Sequence, residues 1–118
     1  MRHFMPESKL SWKRKQNNFF LNLIEYKSPD DYLSINDFYK VLGYAYFYMA
    51  DAPYVKAIQS EEISVSYVCS KYPRELVRHL ISKGYTVKEK EHGIYYISGM
   101  EFSAQIIVNP ALSEENNL

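Results

Sequence analysis

Two stretches of alternating residues, separated by one amphipathic segment, constrain this chain more than any other feature. In FFLNLIEYK, residues 19–27, an extended backbone puts Leu21, Leu23, Glu25 and Lys27 on one side and Phe20, Ile24 and Tyr26 on the other. In EISVSYVCS, residues 62–70, Ile63, Val65, Tyr67 and Cys69 share a side and Val68 lies opposite. Between the two, Ser34 and Asp37 are spaced as a helix start, with the acid suited to the positive end of the dipole. Phe38, Val41, Leu42, Ala45 and Met49 then recur at helical spacing as far as Ala50. Further on, YPRELVRHLISKG opens a helix at Pro73, carries Leu76, Val77, Leu80 and Ile81 on one stripe, and stops at Gly84. YTVKEKEHGIYYIS predicts a hairpin around His92 and Gly93, and EFSAQIIV a last strand. The order strand, helix, strand, helix, hairpin, strand predicts an α/β (α+β) domain: a mixed sheet with helices packed on it, without internal repeats.

At 118 residues the chain is long enough for one core and too short for two. Residues 1–18, with Pro6 and the run Lys13, Arg14, Lys15, read as an irregular basic arm or a poorly formed first strand. Residues 19–110 form the core, and 111–118 a polar tail. Basic and acidic residues balance at 14 each, so no overall field recruits a polyanion or a membrane. Locally, residues 1–20 carry five cations and one acid, 21–70 three and seven, and 71–92 six and three. Cys69 stands alone, which excludes an intrachain disulfide and fits a reducing cytoplasm. The longest uncharged apolar run, Val41–Ala50, is too short to cross a bilayer. His3, His79 and His92 show no metal-ligand spacing, and Asp30 and Asp31 belong to turn chemistry in SPDDYL. The four glycines are scattered, with no phosphate-cradling loop, so no small-molecule substrate is expected.

The charges at the end of the first alternating segment ask for an explanation. Glu25 and Lys27 are either an exposed pair at a strand end or part of a site where proximity and burial are chemically useful. A strand ending in IEYK and a following helix containing KVLGY together resemble the PD-(D/E)XK nuclease superfamily. Within it, the resemblance is to the bacterial recombination-promoting and transposase-associated nucleases, and it covers residues 19–110. It implies a restriction-endonuclease-like sheet with flanking helices, and Glu25, Lys27, Lys40 and Tyr44 as the catalytic set. It also implies a Mg²⁺ or Mn²⁺ ion held by Glu25 and the Tyr26 carbonyl, with Lys27 orienting the attacking water. DNA would be the partner; apart from the resemblance, Lys71, Arg74, Arg78 and Lys83 are candidate phosphate contacts by their charge. The alternative for those four cations is a solvated helix face.

The chain also departs from the family. The superfamily places an Asp, the metal's other carboxylate, on the strand before Glu-x-Lys, and Glu7 is the only acid upstream of Glu25. MRHFMPESKLSWKRKQNN offers no home for the first helix and strand, so the expectation is that fold with its N-terminal portion lost, replaced or truncated. One carboxylate preorganises a small hard cation poorly. The expectation is a nuclease-like protein impaired in catalysis, or else a non-enzymatic oligomeric module that binds nucleic acid or protein. A homodimer is expected from an uncovered sheet edge and from Tyr39, Tyr46 and Tyr48 flanking the apolar stripe of their helix. In the competing arrangement residues 8–18 fold back, close that edge and leave a monomer.

Overall fold

The alternating segments become adjacent parallel strands. In the computed structural model, which describes residues 10–15, 18–51 and 58–112, β2 (Asn18–Tyr26) and β3 (Ile63–Cys69) pair in register from Leu21↔Ile63 to Tyr26↔Val68. The crossover between them carries α1 (Ile35–Ala50) and a 3-10 turn at Ser60–Glu62. Ser34 caps α1: its hydroxyl accepts from the Asp37 amide at 3.0 Å and its own amide donates to the Asp37 carboxylate at 2.9 Å. Such reciprocal caps typically add about 1 kcal/mol.

Beyond β3 the chain forms α2 (Arg74–Ser82), β4 (Thr86–Glu91), β5 (Ile94–Ser98) and β6 (Ser103–Val108). Together with β1 (Leu10–Lys15) they complete a six-stranded mixed sheet ordered β1-β2-β3-β6-β5-β4. Strand β6 runs parallel to β3, and the outer pairs β1–β2 and β4–β5 are antiparallel hairpins. The β4–β5 turn needs Gly93, whose φ is +81° and whose added Cβ would lie 2.7 Å from the Val108 carbonyl oxygen. The Gly93 carbonyl in turn accepts from the Val108 amide at 2.7 Å, tying the hairpin tip to the end of β6.

Strand parity decides the layers. Leu21, Leu23, Ile63, Val65, Tyr67, Cys69, Ala104 and Ile106 face the helices and are buried with Phe38, Val41, Ala45, Leu76 and Leu80. The opposite face carries Asn22, Ser64, Ser66 and Gln105. There the Ser64 hydroxyl donates to the Asn22 side-chain amide oxygen Oδ1, and Gln105 Nε2 donates to Ser66 Oγ at 3.0 Å.

Several expectations change. Of the two readings of the N-terminal segment the structure has the strand: β1 pairs with β2, gives both backbones their hydrogen bonds and occupies the edge on which the expected homodimer partly rested. Residues 1–9, 16–17, 52–57 and 113–118 lie outside the described residues. Tyr48, expected beside the apolar stripe, is buried in the core, while Tyr39 and Tyr46 are exposed. Ile81, expected on the α2 stripe, is 58% exposed, because Leu76, Val77 and Leu80 already fill the narrow face this nine-residue helix presents to the core. Leu42 and Met49 pack against the core only in part.

Candidate functional site at the carboxyl ends of the parallel strands

Where β2 ends, the apolar row of Leu21 and Leu23 is continued by Glu25, which is only 3% exposed and lies in register with Tyr67. A carboxylate this deep needs partners. Lys40, one turn and a half into α1, brings its ammonium to 3.6 Å from Glu25 Oε2. Lys27, just past the strand, continues the ladder through its amide, which donates to the Val68 carbonyl at 2.9 Å. Its side chain turns to Asp37, with Nζ 3.2 Å from Oδ2, and Lys40 lies 3.9 Å from the other oxygen of the same carboxylate. Two carboxylates and two ammonium groups thus form a quartet between the end of β2 and the first turns of α1.

The quartet rests on Tyr67, whose buried hydroxyl donates to the Phe38 carbonyl at 2.8 Å. Burial and then the charges of Glu25 and Asp37 push the Tyr67 hydroxyl well above the usual tyrosine range, so it stays a neutral donor. Burial pushes the Asp37 carboxyl up, but the Ser34 amide, the Lys27 ammonium and the Ser34 hydroxyl outweigh it and hold it below its ordinary value. Burial raises the Cys69 thiol to about 11, so this thiol is not a nucleophile at neutral pH.

The structure brings Glu25, Lys27 and Lys40 together. Tyr44 lies one turn along α1 from Lys40, half-buried against the core. Tyr26 ends β2 with its ring exposed on the face away from the helices. Sequence reasoning gave Asp37 only its capping role; the signal for more was its place in the first turn of the helix that follows the Glu-x-Lys strand. The donor set does not suit Mg²⁺ or Mn²⁺. Such ions want several preplaced oxygens, and here both carboxylates face an ammonium. No group of three or more Asp, Glu, His or Cys side chains among the described residues is arranged to hold a metal.

The cations expected as phosphate contacts separate. Lys71, with its ammonium 5.3 Å from the centre of the Tyr32 ring, and Arg74 line a cleft beside the quartet, between the β2–α1 and β3–α2 loops. Arg78 follows Arg74 by one turn along the exposed side of α2, beside Ile81. Lys83 caps the far end, about 13 Å along the helix axis from Arg74 at 1.5 Å per residue.

No family model, no curated protein and no solved structure matches this chain. Among the described residues no helix is long and apolar enough to cross a membrane.

Proposed function

We propose that this chain is a nuclease-like protein of the PD-(D/E)XK, transposase-associated kind that binds DNA without cutting it. The carrying observation is the Lys40 ammonium beside the buried Glu25 carboxylate, on the helix that follows the Glu-x-Lys strand. Burying an acid at a strand end and meeting it with a lysine from the next element is a costly arrangement for a merely structural pair, and it is the arrangement the resemblance anticipates. The restriction-endonuclease-like reading of the mixed sheet belongs to the same proposal. The pairing supports the absence of cutting: Lys40 is held by Glu25 and Asp37, Lys27 by Asp37, and no cluster of three or more metal-ligating side chains occurs among the described residues. Lys71, Arg74 and Arg78 supply the positive surface for phosphate.

The reading is tested with the purified chain, linear duplex DNA and supercoiled plasmid, in Mg²⁺ and in Mn²⁺. Retarded migration of the duplex, lost on raising the salt and weakened in Arg74→Ala/Arg78→Ala, is expected without nicking of the plasmid. Nicking abolished by Glu25→Ala would overturn the inactive assignment, and absence of any DNA binding at low salt would overturn the whole reading.

A second reading, an oligomeric non-enzymatic module, is favoured by one observation. Tyr26, Val68, Ile107 and Ile94 lie in register across four strands on the sheet face opposite the helices.

A further inference from the structure

The loops after β2 and β3 lie side by side: the Ser70 hydroxyl donates to the Pro29 carbonyl at 2.7 Å, and the Lys27 amide bonds to Val68. Between them and the start of α2 opens a cleft of about 700 Å³, lined in part by Tyr32, Lys71, Tyr72, Arg74 and Glu75. This volume falls within the roughly 300–1,000 Å³ typical of small-ligand sites.

Its lining has two chemistries. Tyr32 is 66% exposed and Tyr72 38%, so two aromatic rings face water in one concavity. The Tyr72 ring is braced at its edge by Tyr95, with centroids 5.1 Å apart. The Lys71 ammonium lies over the Tyr32 ring, 5.3 Å from its centre, so that face holds a cation in the absence of ligand. Arg74 is the first residue of α2, and Pro73 at the cap has no side-chain oxygen to offer the first-turn amides. Glu75 is the one acid on the wall, against two cations.

A bare anion would use the cations and leave the rings wet; an apolar ligand would do the reverse. A base joined to a phosphate satisfies both, by stacking on a ring and by ion pairing. Duplex DNA fails, because its bases are stacked inside and do not reach the rings.

We propose that this cleft binds a nucleoside 5′-phosphate unit, its base on the Tyr32 and Tyr72 rings and its phosphate between Lys71, Arg74 and the first turn of α2. The base takes the place of the Lys71 ammonium on Tyr32, and the freed ammonium turns to the phosphate. The unit is either a free nucleotide or the 5′-phosphorylated end of a single strand. The site uses side chains where a glycine-rich loop would use backbone. It goes beyond the duplex-DNA reading and does not rest on the Glu25 quartet.

The test is calorimetric titration of the full chain with AMP, adenosine, inorganic phosphate, and tetrathymidylate with and without a 5′-phosphate. AMP is expected to bind at least tenfold tighter than adenosine or phosphate. Tyr32→Ala and Arg74→Gln should each weaken AMP about tenfold, with Tyr32→Phe retaining affinity. Tighter binding of the phosphorylated tetranucleotide than of AMP identifies the strand end as the source, and equal or weaker binding identifies the free nucleotide. No saturable heat with AMP, or equal affinity for AMP and inorganic phosphate, would overturn the proposal. So would AMP affinity that Tyr32→Ala leaves intact. Circular dichroism of each variant checks that these exposed substitutions leave the fold in place. Loss of AMP binding with duplex binding retained removes this site alone, and the converse removes only the duplex reading.

Discussion

Tyr67 donates its hydroxyl to the Phe38 carbonyl at 2.8 Å, joining the middle of the sheet to the first turn of α1 directly beneath the charged quartet. The rings also stack, with centroids 5.3 Å apart. Tyr67→Phe keeps the stack and deletes the bond. Chemical denaturation should show a loss of about 1 kcal/mol, the ordinary net worth of a buried hydrogen bond. No loss would mean that the hydroxyl adds nothing to the seating of the helix.

Breaking the Glu25–Lys40 pair from one side should cost more than replacing both partners. Lys40→Met removes one of the buried carboxylate's partners and should lose about 1–2 kcal/mol, less than for a fully buried pair because Lys40 is half exposed. Glu25→Leu combined with Lys40→Met should recover most of that loss. A double variant less stable than the single would show that the pair is net stabilising.

Stability should fall in acid partly through Asp37. Its folded-state value lies below the ordinary 3.8, so the unfolded chain takes up the proton first. The contribution is complete above that ordinary value and disappears as pH drops through the folded one. Asp37→Asn should therefore be less stable than the native chain at neutral pH, with the gap closing below about pH 3.8. A gap independent of pH would remove the charge from the explanation.

Two glycines should respond in opposite directions to alanine. Gly93→Ala forces a Cβ against the Val108 carbonyl at positive φ and should destabilise by about 1–3 kcal/mol. Gly43 is exposed within α1 with nothing within 4 Å of its added Cβ, so Gly43→Ala should stabilise by about 0.5–1 kcal/mol. Thermal melts of both variants check the pair.

The chain should self-associate through the sheet face that lacks helices. Light scattering is expected to report twice the 13.9 kDa chain mass at high concentration, and Val68→Asp/Ile107→Asp to return the monomer. A monomer at every concentration would leave that face without a partner copy.

Residues 63–69 state their buried side unambiguously, because alternation has only two phases and one is apolar. The same parity, with the helix following directly, made the meeting of Glu25, Lys27 and Lys40 legible. Asp37 was hidden by having a sufficient local reason to be where it is. Strand β1 stayed one of two readings, because three consecutive cations carry no period and its existence depends on β2, not on its own pattern. Tyr48 and Ile81 were misplaced at the margins of helical stripes, where a rotation of a few tens of degrees decides burial. The cleft at Tyr32 and Tyr72 joins two loops 40 residues apart, and loops have no periodicity to read.

The strand order sets the sequence of events as the molecule assembles. Each outer hairpin closes over two residues, β1 onto β2 and β4 onto β5, whereas β2 must wait for β3, beginning at Ile63, and β3 for β6, beginning at Ser103. Local pairings form first and distant ones slowly. On the ribosome, at roughly 5–20 residues per second, the inner edge of β2 stays unsatisfied for seconds after it emerges. During that interval Glu25 has neither Tyr67 beside it nor a finished core beneath it. The middle of the sheet, the most buried part of the molecule at the end, is the part most in need of protection at the beginning.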